Sequence, residues 1–167
     1  MNYHNIKHDD MLNGEGLRVT LFVSGCENHC HGCQNPQTWD PSSGIPFDTE
    51  AMIEILTYLS KDYTCGLTLS GGDPLYRGNL ETTTGICAIC KSIAPEKNIW
   101  LYSGYTWDAV KGLPIMKYVD VMVDGPYIES QRNVKMRWAG STNQRVIDVQ
   151  QTLQQGHVVL YQKEKSI

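Results

Sequence analysis

No run of apolar residues in this chain approaches the length needed to span a bilayer. The first ten residues, Met1 to Asp10, are polar, with His4, Lys7 and His8 where a signal peptide would carry its apolar core. Lys and Arg nowhere reach the density that a phosphate backbone demands, and the formal net charge is -4. Membrane and nucleic acid are therefore not expected as partners, and the cytosol is the expected location. Internal repeats, low-complexity tracts and interdomain linkers are also missing. A single domain over residues 1–167 is the expectation, and 41% hydrophobic residues suffice for one buried core.

What is present is an uneven set of 6 cysteines. A cytosolic setting keeps thiols reduced, so metal binding or catalysis is a better use for them than disulfides. Cys26, Cys30 and Cys33 crowd into one short stretch, where bridges would close loops too small to stabilise anything. Three thiolates on one loop can hold three corners of a cubane iron–sulfur cluster and leave one iron without a protein ligand. A structural zinc site also accepts thiolates and would take its fourth ligand from His29, His31 or a distant cysteine. Both remain open on spacing alone. Cys87 and Cys90 form a second C-x-x-C, but Ile86, Cys87, Cys90, Ile93 and Ala94 make one helical stripe, which reads as core packing. Cys65 reads the same way.

The rest of the chain alternates strand and helix signals. Residues 18–24 read as a strand buried on both faces that delivers the chain directly to Cys26. A loop of proline, serine and glycine follows; then Asp48 is an N-cap for a helix carrying Met52, Ile55, Leu56 and Leu59 at helical spacing. Residues 65–70 form a second strand, ended by Gly71, Gly72, Asp73 and Pro74. A helix over 80–94 stops at Pro95, a third strand covers 98–102, a short helix fits 106–112 before Pro114, and a fourth strand covers 118–123. The tail, 127–167, shows strand character only at 157–161 and reads as a segment that wraps the domain or meets a partner. Such alternation implies an α/β fold with a mostly parallel sheet, whose functional groups gather at the strand C-termini. Ser24-Gly25-Cys26, Ser70-Gly71-Gly72, Ser103-Gly104 and Asp124-Gly125 all lie there.

C-x3-C-x2-C after the first strand, with Gly-Gly-Asp-Pro after the second, resembles the radical S-adenosylmethionine (SAM) superfamily. More narrowly, Val-Ser-Gly-Cys26, Cys33-Gln-Asn35, Leu-Ser-Gly-Gly-Asp-Pro74, Trp100-Leu-Tyr-Ser-Gly-Tyr105 and Gly140-Ser-Thr-Asn-Gln-Arg145 look like the family that activates anaerobic ribonucleoside-triphosphate reductase. The resemblance spans most of the chain and implies an incomplete, open β/α barrel. It implies that Cys26, Cys30 and Cys33, on a cluster loop over 24–36, bind a 4Fe-4S cluster whose fourth iron takes SAM. Gly71, Gly72, Asp73 and Pro74 would lie beside the methionine part of SAM, and Asn35, Ser103 and Asp124 would line the same pocket. The implied partners are the large reductase subunit, as protein substrate, and reduced flavodoxin or ferredoxin, as electron donor. The chain departs from the family pattern at Gln34, where an aromatic residue is usual, and at Ala139, where an arginine would stand.

Blander readings apply to other polar and aromatic positions. His29 and His31 read as solvated loop residues, and Asp73 as a turn former that sets binding geometry without acid–base work. Trp100, Tyr102 and Trp107 read as packing residues; Tyr105 is the only one of that group placed to meet an adenine. Arg132, Lys135, Arg137 and Arg145 read as a solvated basic face. Two rival functions stay open: activation of another glycyl-radical enzyme or small-molecule radical chemistry, and a zinc-binding interaction module.

Overall fold

The structure, a computed structural model, describes residues 1–162. These hold seven strands and four α-helices. The chain runs β1 (Asn2–Asp10), β2 (Leu17–Val23), β3 (Ile45–Pro46), α1 (Thr49–Leu59), β4 (Thr64–Gly71), α2 (Leu80–Ile93), β5 (Asn98–Tyr102), α3 (Trp107–Val110), β6 (Val121–Asp124), β7 (Arg145–Asp148) and α4 (Val149–Gln155). One open mixed sheet orders the strands β3-β1-β2-β4-β5-β6-β7. Its centre, β2 to β6, is parallel, while β1, β3 and β7 add antiparallel edges.

The parallel centre matches the expected strands to within three residues at each end. Asp48 caps α1 as its position requires, accepting a hydrogen bond from the Ala51 N–H at 2.9 Å. The three antiparallel strands, β1, β3 and β7, were not legible in the sequence. β1 is polar, with only Tyr3 and Ile6 as buried apolar positions, and β7 carries four residues of mixed character. The strand signal at 157–161 yields a single bridge, Leu160 to Ile147. The tail thus supplies a strand and a helix to the fold through residue 155.

Register divides the sheet into two chemically different faces. Leu21, Leu69, Leu101, Met122 and Ile147 are successive partners across five strands and are fully buried beneath the helices. Ala51, Ile55 and Leu59 of α1 and Ile86, Cys87 and Cys90 of α2 complete that core. Burial pushes the Cys90 thiol up to about 12 and that of Cys87 higher still, so both stay protonated packing residues. Ile93 departs from the expected stripe and is exposed. Cys65 does too: it alternates outward at the start of β4, where its sulfur lies against Gly16.

The opposite face carries Arg18, Thr20, Thr68, Trp100 and Tyr102, none of which joins the hydrophobic core. Arg18 is completely buried there, and all five of its N–H groups find acceptors. They are Thr68 Oγ1 (2.7 Å), Asn98 Oδ1 (2.7 Å) and the carbonyls of Leu67 (2.7 Å), Glu15 (3.0 Å) and Asn98 (3.2 Å). Its guanidinium also lies 5.4 Å from the Trp100 ring centroid. Burial lowers its pKa to about 10, which still leaves it charged at neutral pH. Arg18→Met keeps the length but strands several buried acceptors, so it is expected to cost about 3 kcal/mol. A urea titration should show this as a lowered midpoint at unchanged slope; a midpoint like that of the parent would contradict it.

Candidate functional site

The chain leaves β2 through Gly25, whose φ of 98° is open to glycine and costly to other residues. The loop it enters closes on itself at the base. Gly25 N–H donates to the Thr38 carbonyl (2.7 Å) and Cys26 N–H to the Trp39 carbonyl (3.1 Å). Within the loop, Cys33 N–H donates to the Cys30 carbonyl at 3.1 Å, a turn that brings the later two cysteines close in space. The base is then tied to β4, with Gly72 N–H donating to the Val23 carbonyl (2.7 Å) and Asp73 N–H to the Gly25 carbonyl (2.8 Å). Asn79, just before α2, adds a side-chain bond to the Ser24 carbonyl at 2.7 Å.

This loop forms one wall of a cavity of about 540 Å³ over the polar face of the sheet, a size typical of small-ligand sites. Cys26, Cys30 and Cys33 all line it as free thiols. So do residues at the ends of all four parallel strands: Phe22 of β2, Gly71 and Gly72 at the end of β4, Ser103 and Gly104 after β5, and Gly125 after β6. The expected convergence of strand ends is therefore present. The segment 138–144 lines the cavity too, through Trp138, Ala139, Gly140 and Gln144. It is fixed to the turn after β6 by Gln144 Nε2 donating to the Gly125 carbonyl (3.0 Å) and Asn143 Nδ2 to the Pro126 carbonyl (2.8 Å).

Among the other residues singled out in the sequence, Asn35 and Ser103 line the cavity, whereas Asp73, Pro74 and Asp124 lie behind its wall. Asp73 is buried and accepts from Ser103 Oγ (2.9 and 3.0 Å), Gly104 N–H (2.9 Å), Leu75 N–H (2.9 Å) and Asn28 Nδ2 (3.2 Å). Burial pushes its carboxyl up to about 6, the donors opposing that rise, so it is mostly ionised at neutral pH. Asp124 is also buried; it accepts from the Trp107 N–H that opens α3 (2.8 Å) and pairs with Arg145 Nη2 at 2.5 Å. Arg145 is thus not part of a solvated basic face, because β7 places it opposite Asp124. Tyr105 does not line the cavity and reaches toward Glu27.

Sequence reading missed several lining residues. Tyr102, taken as a packing residue, faces the cavity, as do Asn28, Trp39 and Trp138. The signal available for Asn28 was its place between two cysteines of the loop. Tyr102 Oη and Trp39 Nε1 are buried and make no hydrogen bond within the described residues. Buried polar groups ordinarily have partners, so two donors on this wall suit a ligand that brings acceptors.

The donor set fits an iron–sulfur cluster. Three thiols share one wall, and a cubane asks each for one iron at a separate corner. Among the described residues no three His, Cys, Asp or Glu side chains are grouped closely enough to hold a single metal ion. His31 points away, pairing with Glu129 on the surface, and His29 lies against the Trp39 ring. No helix among the described residues is long and apolar enough to cross a membrane.

Comparison with known proteins agrees with the donor set. Residues 12–147 match the model of a 4Fe-4S single cluster domain, so the chain carries an iron–sulfur cofactor site. Over 146 residues it is 46% identical to the anaerobic ribonucleoside-triphosphate reductase-activating protein of Enterobacteria phage T4, covering 87% of this chain and 93% of that one. A protein of the same name from Haemophilus influenzae is 42% identical over 149 residues (86% of this chain, 96% of that one). The Escherichia coli K12 protein of that name is 36% identical over 150 residues (87% and 97%).

Proposed function

This chain belongs to the anaerobic ribonucleoside-triphosphate reductase-activating protein family, and from that membership we propose how its site works. It activates the anaerobic reductase, with Cys26, Cys30 and Cys33 as the ligands of a 4Fe-4S cluster and SAM as the co-substrate bound beside it. The observation that carries this reading is that three free thiols of one loop and the ends of four parallel strands line the same cavity. Held by Cys26, Cys30 and Cys33, a reduced cluster would supply the electron for reductive cleavage of SAM to methionine and a 5'-deoxyadenosyl radical, which would take a hydrogen atom from a reductase glycine.

The chain's own residues bind, orient and shield. Gly71 and Gly72 bring backbone to the cavity wall without side chains, so the amino-acid end of SAM can approach it closely. Asp73 acts from behind, its N–H fixing that backbone against the cluster loop, while the Pro74 carbonyl accepts from Thr83 Oγ1 and ties the turn to α2. Asn35 and Ser103 offer polar atoms beside the cysteines, and Tyr102 and Trp39 offer unused donors. Asp124 holds the β6 end and, through Arg145, the start of β7 that follows the lining segment 138–144. An open sheet with helices on one face and a polar second face suits an incomplete barrel whose unclosed side admits a polypeptide. The required electron comes from a separate reduced flavodoxin or ferredoxin.

Anaerobic mixing of the reconstituted protein, SAM and reductant with the large reductase subunit tests the target. A glycyl-radical signal by electron paramagnetic resonance on the reductase, and none on pyruvate formate-lyase handled identically, is the expected result. Equal signals on both would remove the assignment of the reductase as target.

A further inference from the structure

Asn28 is no cysteine and sits in the cluster loop with no role in the reading above, yet three elements meet on its side-chain amide. Its Nδ2 lies 3.7 Å from Cys26 Sγ and 3.2 Å from Asp73 Oδ2. An amide nitrogen carries two hydrogens, so it can serve both acceptors at once. Asp73 cannot swing away, because Ser103 Oγ and the N–H groups of Leu75 and Gly104 hold its carboxylate. Asn28 is therefore aimed at the sulfur by a fixed anchor.

The end of β5 is shaped to receive this side chain. A Cβ placed on Gly104 would overlap the Asn28 amide, all three of its nearest neighbours being Asn28 side-chain atoms. Gly104 thus leaves a notch that Asn28 fills. Gly104 has no positive φ, so its backbone does not itself demand glycine, and the reason for its missing side chain is spatial.

Hydrogen bonds to cluster sulfurs withdraw negative charge and favour the reduced state, raising the potential. We propose that Asn28 is a positioning residue whose amide, oriented by Asp73 and seated in the Gly104 notch, donates to Cys26 Sγ and sets the reduction potential of the cluster. This rests on the assignment of Cys26 as a cluster ligand.

The test compares the full-length protein with Asn28→Ala, Gly104→Ala and the double variant, each reconstituted anaerobically. Iron and sulfide content is measured first, then the midpoint potential by redox titration followed by electron paramagnetic resonance. Equal iron in all four is expected, with both single variants shifted to a more negative potential. The double variant should shift no further than Asn28→Ala alone, since the notch matters only through the side chain that fills it. A wild-type potential in fully loaded Asn28→Ala protein would overturn the inference. So would a Gly104→Ala shift that adds to that of Asn28→Ala, or a loss of iron in both single variants, which would make Asn28 a mere loop brace. A wild-type protein that takes up no cluster would instead overturn the underlying assignment of the cysteines.

Discussion

Cys30→Ala protein, reconstituted with iron and sulfide without oxygen, is expected to hold no stable 4Fe-4S cluster and to lose the visible absorption of the parent. Only three thiolates are available on the loop, and all three line the cavity. One iron is already left for an exogenous ligand, so removing a thiolate leaves a second iron unsupported. The fold should not notice. Cys30 is part-exposed on a loop, and substitutions in such places usually stay within about 0.5 kcal/mol. Cys87→Ala should behave in the opposite way, because Cys87 is wholly buried beneath the sheet. It should keep full iron and lose about 1 kcal/mol of stability through the cavity left behind. Iron loss in the Cys87 variant, or full iron in the Cys30 variant, would reverse the division made between loop and core cysteines.

Gly72→Ala should damage both stability and cluster assembly. The new Cβ would stand 2.6 Å from the Gly25 carbonyl oxygen and 2.9 Å from that of Thr38. Neither can rotate out of the way. The Gly25 carbonyl accepts from Asp73 N–H (2.8 Å), and the Thr38 carbonyl accepts from Gly25 N–H (2.7 Å), so both belong to the closure at the loop base. Yielding means moving backbone, an overpacking cost of about 1–3 kcal/mol. It also opens the closure that sets the cysteines. Gly85→Ala provides the contrast: it lies exposed within α2 with nothing within 4 Å of its added Cβ, and helix propensity predicts a gain of about 0.5–1 kcal/mol. Urea midpoints and iron content for the two variants decide the matter, and a Gly72→Ala protein as stable and as iron-rich as the parent would contradict the account.

The Gly72 contacts also show how the sequence both led and misled. Two adjacent glycines after a strand suggested close approach to a ligand, and Gly71 and Gly72 do line the cavity. The nearest obstacles to their side chains, however, are backbone atoms of Val23, Phe22, Gly25 and Thr38. A glycine signals proximity without saying to what. The parallel strands were legible because each is largely apolar and runs into Ser-Gly or Asp-Gly, and α1 and α2 because their apolar positions keep helical spacing. β1 was not, because it is covered on its outer side only where β3 pairs with Asn2 and Tyr3, and Asn2–Asp10 supplies only two buried apolar residues. Arg145 was read as a surface cation because its partner is distant in sequence, and only the antiparallel pairing of β7 with β6 sets it against Asp124. Asp124 and Asp73 carry the same lesson, since a carboxylate at a strand end can face a ligand or hold its neighbours, and residue type does not distinguish the two.

Quantifying 5'-deoxyadenosine and methionine after adding SAM and a strong reductant to the anaerobically reconstituted protein tests the central claim most directly. Formation of both in equal amounts, dependent on reductant and absent with Cys30→Ala, is the predicted result. A protein that holds its full cluster and yet releases neither product would contradict it.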